Sequence, residues 1–427
     1  MARIGVVGAG YVGLTTAACF ARLGHTVVCA DVDEAKVSAL SRASVGAHEP
    51  RLAELVAEGL GSGRLRFVLG NRAALADVDF VFVCVPTPTG PDGAADLTFV
   101  DAVLDEARGT VGPDCVIVIK STVPAGTTER VAAAVDRPVV SNPEFLREGH
   151  AVDDFLRPQR VVVGAPGPRG AAGREAAVRV AELYAGTGAP AIVTDSASAE
   201  LVKYASNCFL AMKLSYVNSL AELCERVGAD VSDVTEGMSL DDRIGGAFLS
   251  PGPGWGGSCF PKDTRALLST AESLDVDFPL LRATIDTNHA QARRVVGLVR
   301  DAVGPLRGAR LALLGLTFKA GTDDLRDSPA LATATLLAAE GAVLTGYDPC
   351  VSADCGPVRV LPSAEAAARD ADGLVILTEW PEFADLDWEV MAAAMTGRSV
   401  VDTRNLLPPA KVTEAGFHLV PLGRPAP

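Results

Sequence analysis

The stretch Arg3-Ile4-Gly5-Val6-Val7-Gly8-Ala9-Gly10-Tyr11-Val12-Gly13 decides the fold of the first part of the chain. Residues 3–8 are an apolar strand, and a Gly-x-Gly-x-x-Gly pattern leads from it into an apolar helix that continues to about Leu23. A second strand, Thr26–Ala30, ends at Asp31. This order predicts a loop and helix N-terminus that receive a pyrophosphate, with the acid binding the adenosine ribose hydroxyls. A carboxylate repels a 2′-phosphate, so NAD is favoured over NADP.

Strands and helices continue to alternate after this first unit. Strands are expected at Leu65–Leu69, Phe80–Val85, Val116–Ile119 and Val139–Ser141, helices near 98–108 and 125–135, and a strand, a helix and a strand within 160–193. Ligands of open α/β sheets bind at the carboxyl ends of the strands. The hydroxyls of Thr87 and Thr122 follow two of these strands and are placed to contact a dinucleotide. Ordinary capping by threonine explains them about equally well.

The segment Asn142-Pro143-Glu144-Phe145-Leu146-Arg147-Glu148-Gly149 also follows a strand. Its two carboxylates, Glu144 and Glu148, would share a face if the segment were helical. A carboxylate near a thioester can act as a general base toward water. A solvated loop is the ordinary alternative, but the position at the ligand-binding edge of the sheet favours a functional role.

A long helix is expected to start at Ser196 or Ser198, which would cap it, and to continue to about Val227. Apolar residues recur along it with a helical period. A helix of about 30 residues spans about 45 Å, enough to join two domains. Lys203 and Asn207 lie at i and i+4 and project from one face. An ammonium and an amide on one face are good donors to a developing oxyanion, unless the lysine simply extends to solvent.

The stretch Gly254-Trp255-Gly256-Gly257-Ser258-Cys259-Phe260-Pro261-Lys262-Asp263 places one thiol between a glycine-rich loop and a probable helix start. Pro261 suits the first turn of a helix, where its missing N–H has no cost. Cys259 would lie beside the helix N-terminus, whose partial positive charge favours a thiolate, as does Lys262. Asp263 offers a carboxylate or a helix cap. A buried cysteine in a glycine loop is the alternative, but these neighbours favour a nucleophile.

The loop Ser239–Ser258 interrupts the mostly helical region 228–303 and leads directly to this cysteine. It is rich in glycine and proline and contains a single arginine, Arg243. Long loops in compact domains are usually functional.

A second α/β unit begins at Ala309. Its expected elements are a strand at 310–315, a helix at 330–340, a strand at 342–347 that ends at Asp348, and strands at 373–378 and 398–401. This unit repeats the opening pattern without the glycine fingerprint and could bind a second nucleotide, with Lys319 and Arg404 meeting phosphate or sugar. The predicted fold is therefore α/β, with two Rossmann-like doubly wound domains joined by a long central helix and a helical middle region. The expected domains are 1–195, 196–303 and 304–427.

Composition narrows the class of protein. The chain has 427 residues, 48% of them hydrophobic, and a net charge of −15, which disfavours nucleic acid as a partner. Nine cysteines without a C-x-x-C pair argue against a disulfide framework or a metal site. No apolar run approaches the roughly 20 residues of a membrane span, and the first strand leaves no room for a signal peptide. We expect a cytoplasmic protein.

The chain uses arginine as its ordinary cation, since only seven of its 38 basic residues are lysines. A lysine within a motif is therefore weak support for a functional role.

Six motifs in order resemble the UDP-glucose/GDP-mannose 6-dehydrogenase family nearly end to end. They read GAGYVG, STVPAGTT, NPEFLREG, LVKYASNCFLAMKLS, DDRIGGAFLSPGPGWGGSCFPKD and GLTFKAGTDDLRDSP. Ser258 before the cysteine resembles the UDP-glucose and GDP-mannose branches, because the UDP-N-acetylmannosamine branch typically has histidine there. The loop Arg243-Ile244-Gly245 is most similar to that of members acting on UDP-glucose. Ser219 departs from the glutamate of many members, with no catalytic consequence expected.

The resemblance implies an NAD-dependent oxidation of UDP-glucose and assigns roles by motif. Cys259 would be the nucleophile, Lys203 and Asn207 would stabilise oxyanions, and Asp263 would assist through a water. Glu144 would promote thioester hydrolysis, and Thr122 would order the water network. The implied NAD-binding residues are Gly8, Gly10, Tyr11, Val12, Gly13, Asp31, Lys36, Thr87, Thr122, Glu148, Lys262 and Arg326.

The implied substrate-binding residues are Glu144, Phe145, Leu146, Arg147, Lys203, Asn207, Arg243, Phe248, Leu249, Ser250, Gly252, Gly256, Phe318, Lys319 and Arg404. In the family the arginine matching Arg243 often comes from the neighbouring subunit. The resemblance also implies a homodimer formed through the central helices.

The chemistry of the reaction explains, apart from the resemblance, why these types of residue occur together. Oxidation of an alcohol to an acid removes four electrons, so two NAD molecules act in sequence. A thiolate adds to the intermediate aldehyde, and the thiohemiacetal loses a second hydride to give a thioester that water hydrolyses. A thiol, cationic donors and a carboxylate are therefore needed together.

Four alternative functions differ in the residues that they need. GDP-mannose 6-dehydrogenase would share this chemistry with another sugar and base. A short-chain dehydrogenase needs a Tyr-x-x-x-Lys pair, which the sequence lacks. A simple β-hydroxyacid dehydrogenase would not need Cys259. An NAD-binding regulatory protein would not need Cys259, Lys203 and Asn207 intact.

Overall fold

The structure, a computed structural model, describes residues 1–46, 48–91, 93–167 and 171–425. The chain forms two compact units, each assembled from two segments. The first unit comprises Met1–Ser206 and Arg265–Leu274, and the second comprises Asn207–Thr264 and Asp275–Pro427. The division into three domains at 195 and 303 stays a prediction. Within the described ranges, no helix has both the length and the apolar character needed to cross a membrane.

The first unit is built on an eight-stranded sheet with the order β3-β2-β1-β4-β5-β6-β7-β8. Its strands are β1 (Arg3–Val7), β2 (Thr26–Asp31), β3 (Leu65–Leu69), β4 (Phe80–Val83), β5 (Val116–Ile119), β6 (Val139–Ser141), β7 (Val161–Ala165) and β8 (Ala191–Asp195). All neighbours pair in parallel except β6 and β7, which meet antiparallel at Ser141 and Gly164. The first six strands follow the doubly wound dinucleotide-binding order 3-2-1-4-5-6.

Helices connect these strands and cover the sheet. They are α1 (Tyr11–Arg22), α2 (Glu34–Leu40), α3 (Leu52–Gly61), α4 (Arg72–Leu75), α5 (Thr98–Ala107), α6 (Thr127–Ala134), α7 (Ala151–Leu156) and α8 (Ala171–Glu182). Alternate strand residues enter separate cores: Phe80 and Phe82 belong to one cluster, Val81 and Val83 to another. Burial on both faces explains why the strands read as continuous apolar runs.

The helical region of the chain consists of α9 (Ser196–Val227), α10 (Val231–Ser239), α11 (Phe260–Ser273) and α12 (Pro279–Val303). The long helix predicted from about Ser196 to Val227 is confirmed as α9. The prediction that Ser196 or Ser198 caps this helix is wrong. An Asp195 carboxylate oxygen accepts the N–H of Ser198 at 2.7 Å, so the acid at the end of β8 fills the capping role.

The second unit contains a six-stranded parallel sheet with the order β11-β10-β9-β12-β13-β14. Its strands are β9 (Arg310–Leu314), β10 (Val343–Tyr347), β11 (Val358–Val360), β12 (Gly373–Ile376), β13 (Ser399–Asp402) and β14 (His418–Pro421), and its helices are α13 (Pro329–Ala339), α14 (Ala364–Ala368), α15 (Trp388–Ala394) and α16 (Pro409–Glu414). In chain order this is again 3-2-1-4-5-6. The predicted fold class, with two Rossmann-like units, is confirmed.

Two details differ from the sequence-based expectations. The edge strands β11 and β14 were not expected, because neither offers a continuous apolar run: Arg359 interrupts β11, and β14 begins at His418 and ends at Pro421. The segment 142–147 has no regular secondary structure, so Glu144 and Glu148 do not share a helical face. Side-chain carboxylates take the backbone N–H groups that a helix would use: Glu144 accepts that of Leu146 at 2.6 Å, and Asp154 accepts that of Arg147 at 2.9 Å.

An aromatic cluster fills the core of the first unit around Phe20 of α1. Its ring centroid lies 5.0 Å from that of Phe82, 5.1 Å from Phe155 and 5.0 Å from Tyr184. The side chain is fully buried. Strand β4 and helices α1 and α7 therefore meet at one side chain.

Replacing Phe20 with alanine should destabilise the first unit by about 3–5 kcal/mol, because the cavity left by the ring cannot collapse completely. Urea unfolding monitored by fluorescence checks this. Phe99→Ala is the matched control, since Phe99 is 50% exposed and its loss should change the free energy of unfolding little. Equal effects of the two substitutions would contradict the packing described.

Candidate active site

The loop between β1 and α1 forms a cradle with the properties of a pyrophosphate site. Gly8 has φ +97°, and a Cβ there would lie 2.7 Å from the carbonyl oxygen of Cys84. A Cβ at Gly13 would lie 1.8 Å from the Gly8 carbonyl oxygen. At Gly10, the N-cap of α1, a Cβ would meet no atom of the described residues within 4 Å, and no side chain caps the helix. The N–H groups of this helix start are therefore available to phosphate oxygens.

Asp31 ends β2 beside this cradle. Its carboxylate accepts the N–H of Ala9 at 2.9 Å and of Asp33 at 3.0 Å, and the Lys36 ammonium at 3.1 Å. Burial raises the pKa of Asp31, but these donors outweigh burial and hold the pKa below its ordinary value. The group is an ionised acceptor suited to ribose hydroxyls. The glycine cradle and this carboxylate fit NAD.

The two threonines predicted near the coenzyme lie together. The Thr87 hydroxyl donates to the carbonyl oxygen of Thr122 at 2.8 Å, and the Ser121 hydroxyl donates to that of Val85 at 2.7 Å. The loops that follow β4 and β5 are thus joined at the carboxyl ends of adjacent strands. The Thr87 contact is not a helix cap, so capping does not account for this hydroxyl, and the role of the Thr122 hydroxyl stays a prediction.

A buried ion pair joins two of the predicted catalytic residues. Lys203 Nζ on α9 lies 2.9 Å from a carboxylate oxygen of Glu144, and both side chains are buried. The second oxygen of Glu144 accepts the N–H of Leu146 at 2.6 Å. Burial raises the pKa of Glu144, but the charge and hydrogen bond of Lys203 outweigh burial, so the pKa lies below its ordinary value. Glu144 is therefore a carboxylate in a buried position.

The ring of Phe145 lies beside this pair. Its centroid is 5.6 Å from Lys203 Nζ and 4.0 Å from the guanidinium of Arg160. Arg147 instead forms a two-point contact with Asp154, at 2.7 and 3.0 Å, on the surface. Of the predicted substrate residues in this segment, Glu144 and Phe145 are gathered around Lys203.

Tyr11 links the coenzyme loop to the same segment. Its hydroxyl donates to Glu49 and accepts the N–H of Gly149 at 3.1 Å. Glu49, which is buried, also accepts that N–H at 2.9 Å. Glu148 is half-buried beside these contacts. The first turn of α1 and residues 147–149 are thus fixed relative to each other.

The predicted nucleophile occupies the expected position in the second unit. Cys259 directly precedes α11, is half-buried, and has its Sγ 3.6 Å from Ser258 Oγ. The carboxylate of Asp263 is buried in the first turn of this helix. One oxygen accepts the amide of Asn207 at 2.6 Å and the other the ammonium of Lys262 at 2.6 Å. Three predicted residues are therefore brought together one turn from the thiol.

The glycine-rich loop before the cysteine is held by amide side chains of α9 and α12. Asn218 accepts the N–H of Gly252 at 2.8 Å, and Gln291 donates to the carbonyl of Gly252 at 2.7 Å. Asn288 makes both backbone hydrogen bonds of Trp255, at 2.8 and 2.9 Å. These amide side chains hold a loop without secondary structure in a single conformation.

Close backbone contacts explain the glycines of this loop. A Cβ at Gly256 would lie 1.9 Å from the carbonyl oxygen of Asp327, and one at Gly257 would lie 2.7 Å from the ring of Phe318. Phe248, at the start of the loop, has φ +63°, a left-handed conformation rare for a bulky residue. Such conformations cluster at ligand sites.

Arg404 is a further predicted substrate residue that lies beside this loop. Its guanidinium is 2.8 Å from the position a Cβ of Gly252 would occupy. Nε donates to the carbonyl oxygen of Leu377 at 2.9 Å and lies 3.1 Å from Glu379. Its Nη1 therefore lies beside Gly252, in the loop that also contains Phe248, Leu249 and Ser250.

The other predicted arginines lie on the surface beside a neighbouring acid. Arg326 contacts Asp324, with a shortest N–O distance of 2.7 Å, and Arg243 contacts Asp241 at 2.6 Å. Lys319 Nζ lies 5.6 Å from the centroid of the Phe318 ring. The roles that the resemblance assigns to these three residues stay predictions.

The second sheet has an acid where the first has Asp31, but it is used differently. Asp348 follows β10, and one of its oxygens accepts the N–H groups of Leu316 and Thr317 at 2.8 and 3.0 Å and the indole N–H of Trp380 at 3.0 Å. Its other oxygen accepts the N–H of Cys350 at 2.9 Å. Like Asp31, Asp348 accepts backbone N–H groups on both oxygens, but the Trp380 indole binds it in addition and it is 2% exposed against 8% for Asp31, so it is the less accessible acceptor.

Sequence reasoning missed three buried polar residues of the first unit: Glu49, Lys120 and Glu200. Glu200 on α9 accepts the N–H groups of Gly126 and Thr128, both at 2.7 Å, and so fixes the loop that contains Thr122. For Lys120 a signal existed, since a lysine directly after an apolar strand is unusual in a lysine-poor chain. Among the described residues, no group of His, Cys, Asp and Glu is arranged to hold a metal ion.

Two doubly wound sheets, an NAD cradle and a thiol at a helix N-terminus define a dinucleotide-dependent dehydrogenase. The models of three domains match the chain: the NAD binding domain of the UDP-glucose/GDP-mannose dehydrogenase family at residues 2–186, its central domain at 197–290 and its UDP binding domain at 312–409. The chain belongs to the UDP-glucose/GDP-mannose dehydrogenase family. It is an NAD-dependent enzyme that oxidises a CH–OH group of a nucleotide sugar.

Named relatives resemble the chain over its whole length. UDP-glucose 6-dehydrogenase of Rhizobium meliloti is 45% identical over 437 residues, which cover 99% of this chain and 100% of the relative. The corresponding enzyme of Bacillus subtilis is 40% identical, covering 100% and 94%. A UDP-glucose dehydrogenase structure from Pyrobaculum islandicum superposes with a TM-score of 0.90 at 38% identity, covering 100% and 98%.

Replacing Lys203 with methionine should destabilise the first unit by about 3–5 kcal/mol at neutral pH, because Glu144 would be a buried carboxylate without its ion-pair partner. Glu144→Gln in the same chain should recover part of this loss. Because the Glu144 pKa is lowered in the folded state, the pair stabilises above the ordinary carboxyl pKa and the stabilisation is lost as the pH falls through the folded pKa.

Urea unfolding of the two single variants and the double variant measures the coupling. The control is Arg157→Met, which removes an exposed pair with Asp153 and should change the free energy of unfolding by less than about 1 kcal/mol. Additive effects of the Lys203 and Glu144 substitutions would contradict a buried pair.

Proposed function

We propose that the chain oxidises UDP-glucose to UDP-glucuronate in two NAD-dependent steps, with the intermediate bound covalently to Cys259. The observation that carries this proposal is the position of the thiol, directly before α11 and one turn from the Asp263 carboxylate that Asn207 and Lys262 contact. An oxidation that stopped at the aldehyde would need no thiol beside a helix N-terminus.

The choice of UDP-glucose over GDP-mannose rests on particular residues. Ser258 precedes the cysteine, and Arg243-Ile244-Gly245 resembles the loop of members acting on UDP-glucose. Relatives at 38–45% identity over nearly the whole chain carry that activity in their names. GDP-mannose is the alternative substrate, with the same mechanism.

Bound NAD supplies the hydride acceptor of both oxidations. In the first, Asp263 accepts the proton of the C6 hydroxyl through a water, while Lys203 and Asn207 stabilise the developing oxyanion. The Cys259 thiolate then adds to the aldehyde carbon and forms a thiohemiacetal, whose oxyanion the same two donors stabilise. Loss of the second hydride leaves a thioester on Cys259.

Hydrolysis of the thioester completes the reaction. Glu144, an ionised and buried carboxylate, takes a proton from water, and the loop of Thr122 orders that water. The water oxygen bonds to the acyl carbon, the carbon–sulfur bond breaks, and Cys259 leaves as a thiolate. Lys203 neutralises the charge that moves from Glu144 to the acyl oxygen.

Substrate binding needs local cations, because the chain as a whole carries a charge of −15. We assign the loop from Phe248 to Gly256, with Phe318, Lys319 and Arg404, to the UDP-sugar. The support is the close packing of Arg404 and Phe318 against glycines of that loop. Arg243 is assigned to the substrate of a neighbouring subunit, and Arg326 to NAD.

A homodimer is the assembly that we propose. On α9 the large apolar residues Phe209, Tyr216 and Leu223 follow one another at intervals of seven and are 58%, 56% and 55% exposed, and Val227 is 68% exposed. A heptad stripe of this kind forms one face of a helix and is typical of helix pairing. A second copy would cover the stripe.

A cytoplasmic location is proposed as well. It is supported by the reduced thiols, since no disulfide joins any cysteine of the described residues.

The experiment that tests the function is NADH release from a panel of UDP- and GDP-sugars. UDP-glucose should give the highest kcat/KM and two NADH per sugar, with UDP-glucuronate as product. Cys259→Ser should still bind UDP-glucose but form UDP-glucuronate more slowly by about 10³-fold or more, because no thioester can form. One NADH per sugar, or turnover by the serine variant at the wild-type rate, would reject the covalent mechanism.

Replacing Phe209 and Tyr216 with glutamate should shift the assembly from dimer to monomer, because the charges would be buried without partners at the helix pair. Sedimentation at several protein concentrations measures this. Phe99→Glu, which charges an exposed aromatic position on α5, is the control and should leave the dimer intact. A wild-type chain that sediments as a monomer would contradict the assembly.

A further inference from the structure

A lysine that the mechanism does not use lies in the core of the first unit. Lys120 directly follows β5 and is only 3% exposed. Its ammonium donates to two neutral oxygens, Asn142 Oδ1 at 3.3 Å and the Tyr184 hydroxyl at 3.2 Å. The rings of Phe155 and Tyr184 lie 5.8 and 5.6 Å from it. Burying an ammonium against neutral groups is unfavourable, so an uncharged side chain would fill this position at a lower cost in stability. The charge of Lys120 therefore calls for a functional explanation.

The contacts of Lys120 converge on Asn142. The Tyr184 hydroxyl donates to the same Asn142 oxygen at 2.7 Å, and the Asn142 amide donates to the carbonyl oxygen of Val162 on β7 at 2.8 Å. The Asn142 N–H donates to the carbonyl oxygen of Ile119 at 2.9 Å. These bonds fix the start of the segment 142–146, in which Glu144 is two residues further on. The position of Glu144 therefore depends on the hydrogen bonds that Asn142 Oδ1 accepts from Lys120 and Tyr184.

Lys120 also contributes to the charge balance around Glu144. The ionisable groups that act on Lys120 are Cys84, Glu144 and Lys203, and Tyr184 contacts it directly. Burial, with a smaller contribution from Lys203, lowers the pKa of Lys120 to about 8 against the opposing effects of Cys84 and Glu144. In turn the charge of Lys120 adds to that of Lys203 in lowering the pKa of Glu144. Glu144 thus faces two buried cations.

We propose that Lys120 is a positioning residue for thioester hydrolysis, which holds Asn142 and the segment of Glu144 in place and supplies the second positive charge that keeps Glu144 ionised. The inference rests on the proposed function of Glu144 as the base toward water. In this step the proton of water passes to Glu144, the water oxygen bonds to the acyl carbon, and Cys259 leaves as a thiolate. Lys120 exchanges no proton with the substrate, and the two oxidations do not require it.

The test uses Lys120→Gln, which retains a polar chain of similar length and removes the charge. Mixed rapidly with UDP-glucose and NAD, this variant should release two NADH per active site in a fast burst and then turn over at least about tenfold more slowly than wild type. Mass spectrometry of the quenched protein should show the acyl adduct on Cys259 accumulating. Lys411→Gln, a change at an exposed lysine on α16, is the matched control and should behave as wild type.

The pH profile separates this role from packing. Without the Lys120 charge the pKa of Glu144 rises, so the acidic limb of the steady-state rate should move to higher pH in Lys120→Gln. Tyr184→Phe, which removes the hydroxyl but leaves the ammonium, should keep the wild-type limb. An unshifted limb with a wild-type rate in Lys120→Gln, or a burst that is lost rather than retained, overturns the proposal.

Two outcomes keep the inference separate from the proposed function and from folding. A wild-type enzyme that does not form UDP-glucuronate with two NADH would reject the proposed function itself. If the glutamine variant does not fold, Lys120→Met decides, because an apolar chain of similar length is tolerated at a buried position: it should show the same slow turnover, retained burst and shifted acidic limb. A methionine variant with the wild-type rate and the wild-type limb would overturn the role of Lys120.

Discussion

The burial of charge around Glu144 is the constraint on which the first unit depends. A carboxylate beneath the protein surface is tolerated only with a cation and hydrogen-bond donors around it. Lys203 of α9 supplies the cation at 2.9 Å, and the backbone of Leu146 supplies a donor. This pair therefore sets the register of the long helix against the segment that follows β6. Glu200, one turn earlier on α9, fixes the loop after β5 in the same way.

The two sheets show how one strand order serves two purposes. Both follow 3-2-1-4-5-6, and both have a glycine with positive φ directly after the first strand, Gly8 and Gly315. In the first unit the next acid, Asp31, remains an ionised acceptor beside an open helix start. In the second, Asp348 accepts the indole N–H of Trp380 in addition to backbone N–H groups, and it is 2% exposed against 8% for Asp31. Side chains of the loops, rather than the sheet, thus distinguish a coenzyme site from a site for another nucleotide.

Much of the architecture was predictable because its signals are local. Strands buried on both faces are continuous apolar runs, and the bounds of β5 and β6 follow directly from them. The start of α11 follows from Pro261, and the cradle before α1 follows from its glycine spacing. The short edge strands β11 and β14 lacked such a signal. The capping role of Asp195 was missed because serine is an equally common cap and the sequence does not indicate which side chain accepts the bond.

By itself, the sequence determined the α/β class, the NAD cradle, the thiol at a helix start and the family, because spacing along the chain encodes turns, helix ends and loops. Tertiary structure alone decided which distant polar groups meet in the core. The pairs Lys203 with Glu144, Asn207 with Asp263 and Lys120 with Asn142 join residues between 22 and 59 positions apart. Hydrogen bonds and buried charges of this kind depend on distance and on exclusion of water, and neither is a property of neighbours in the sequence.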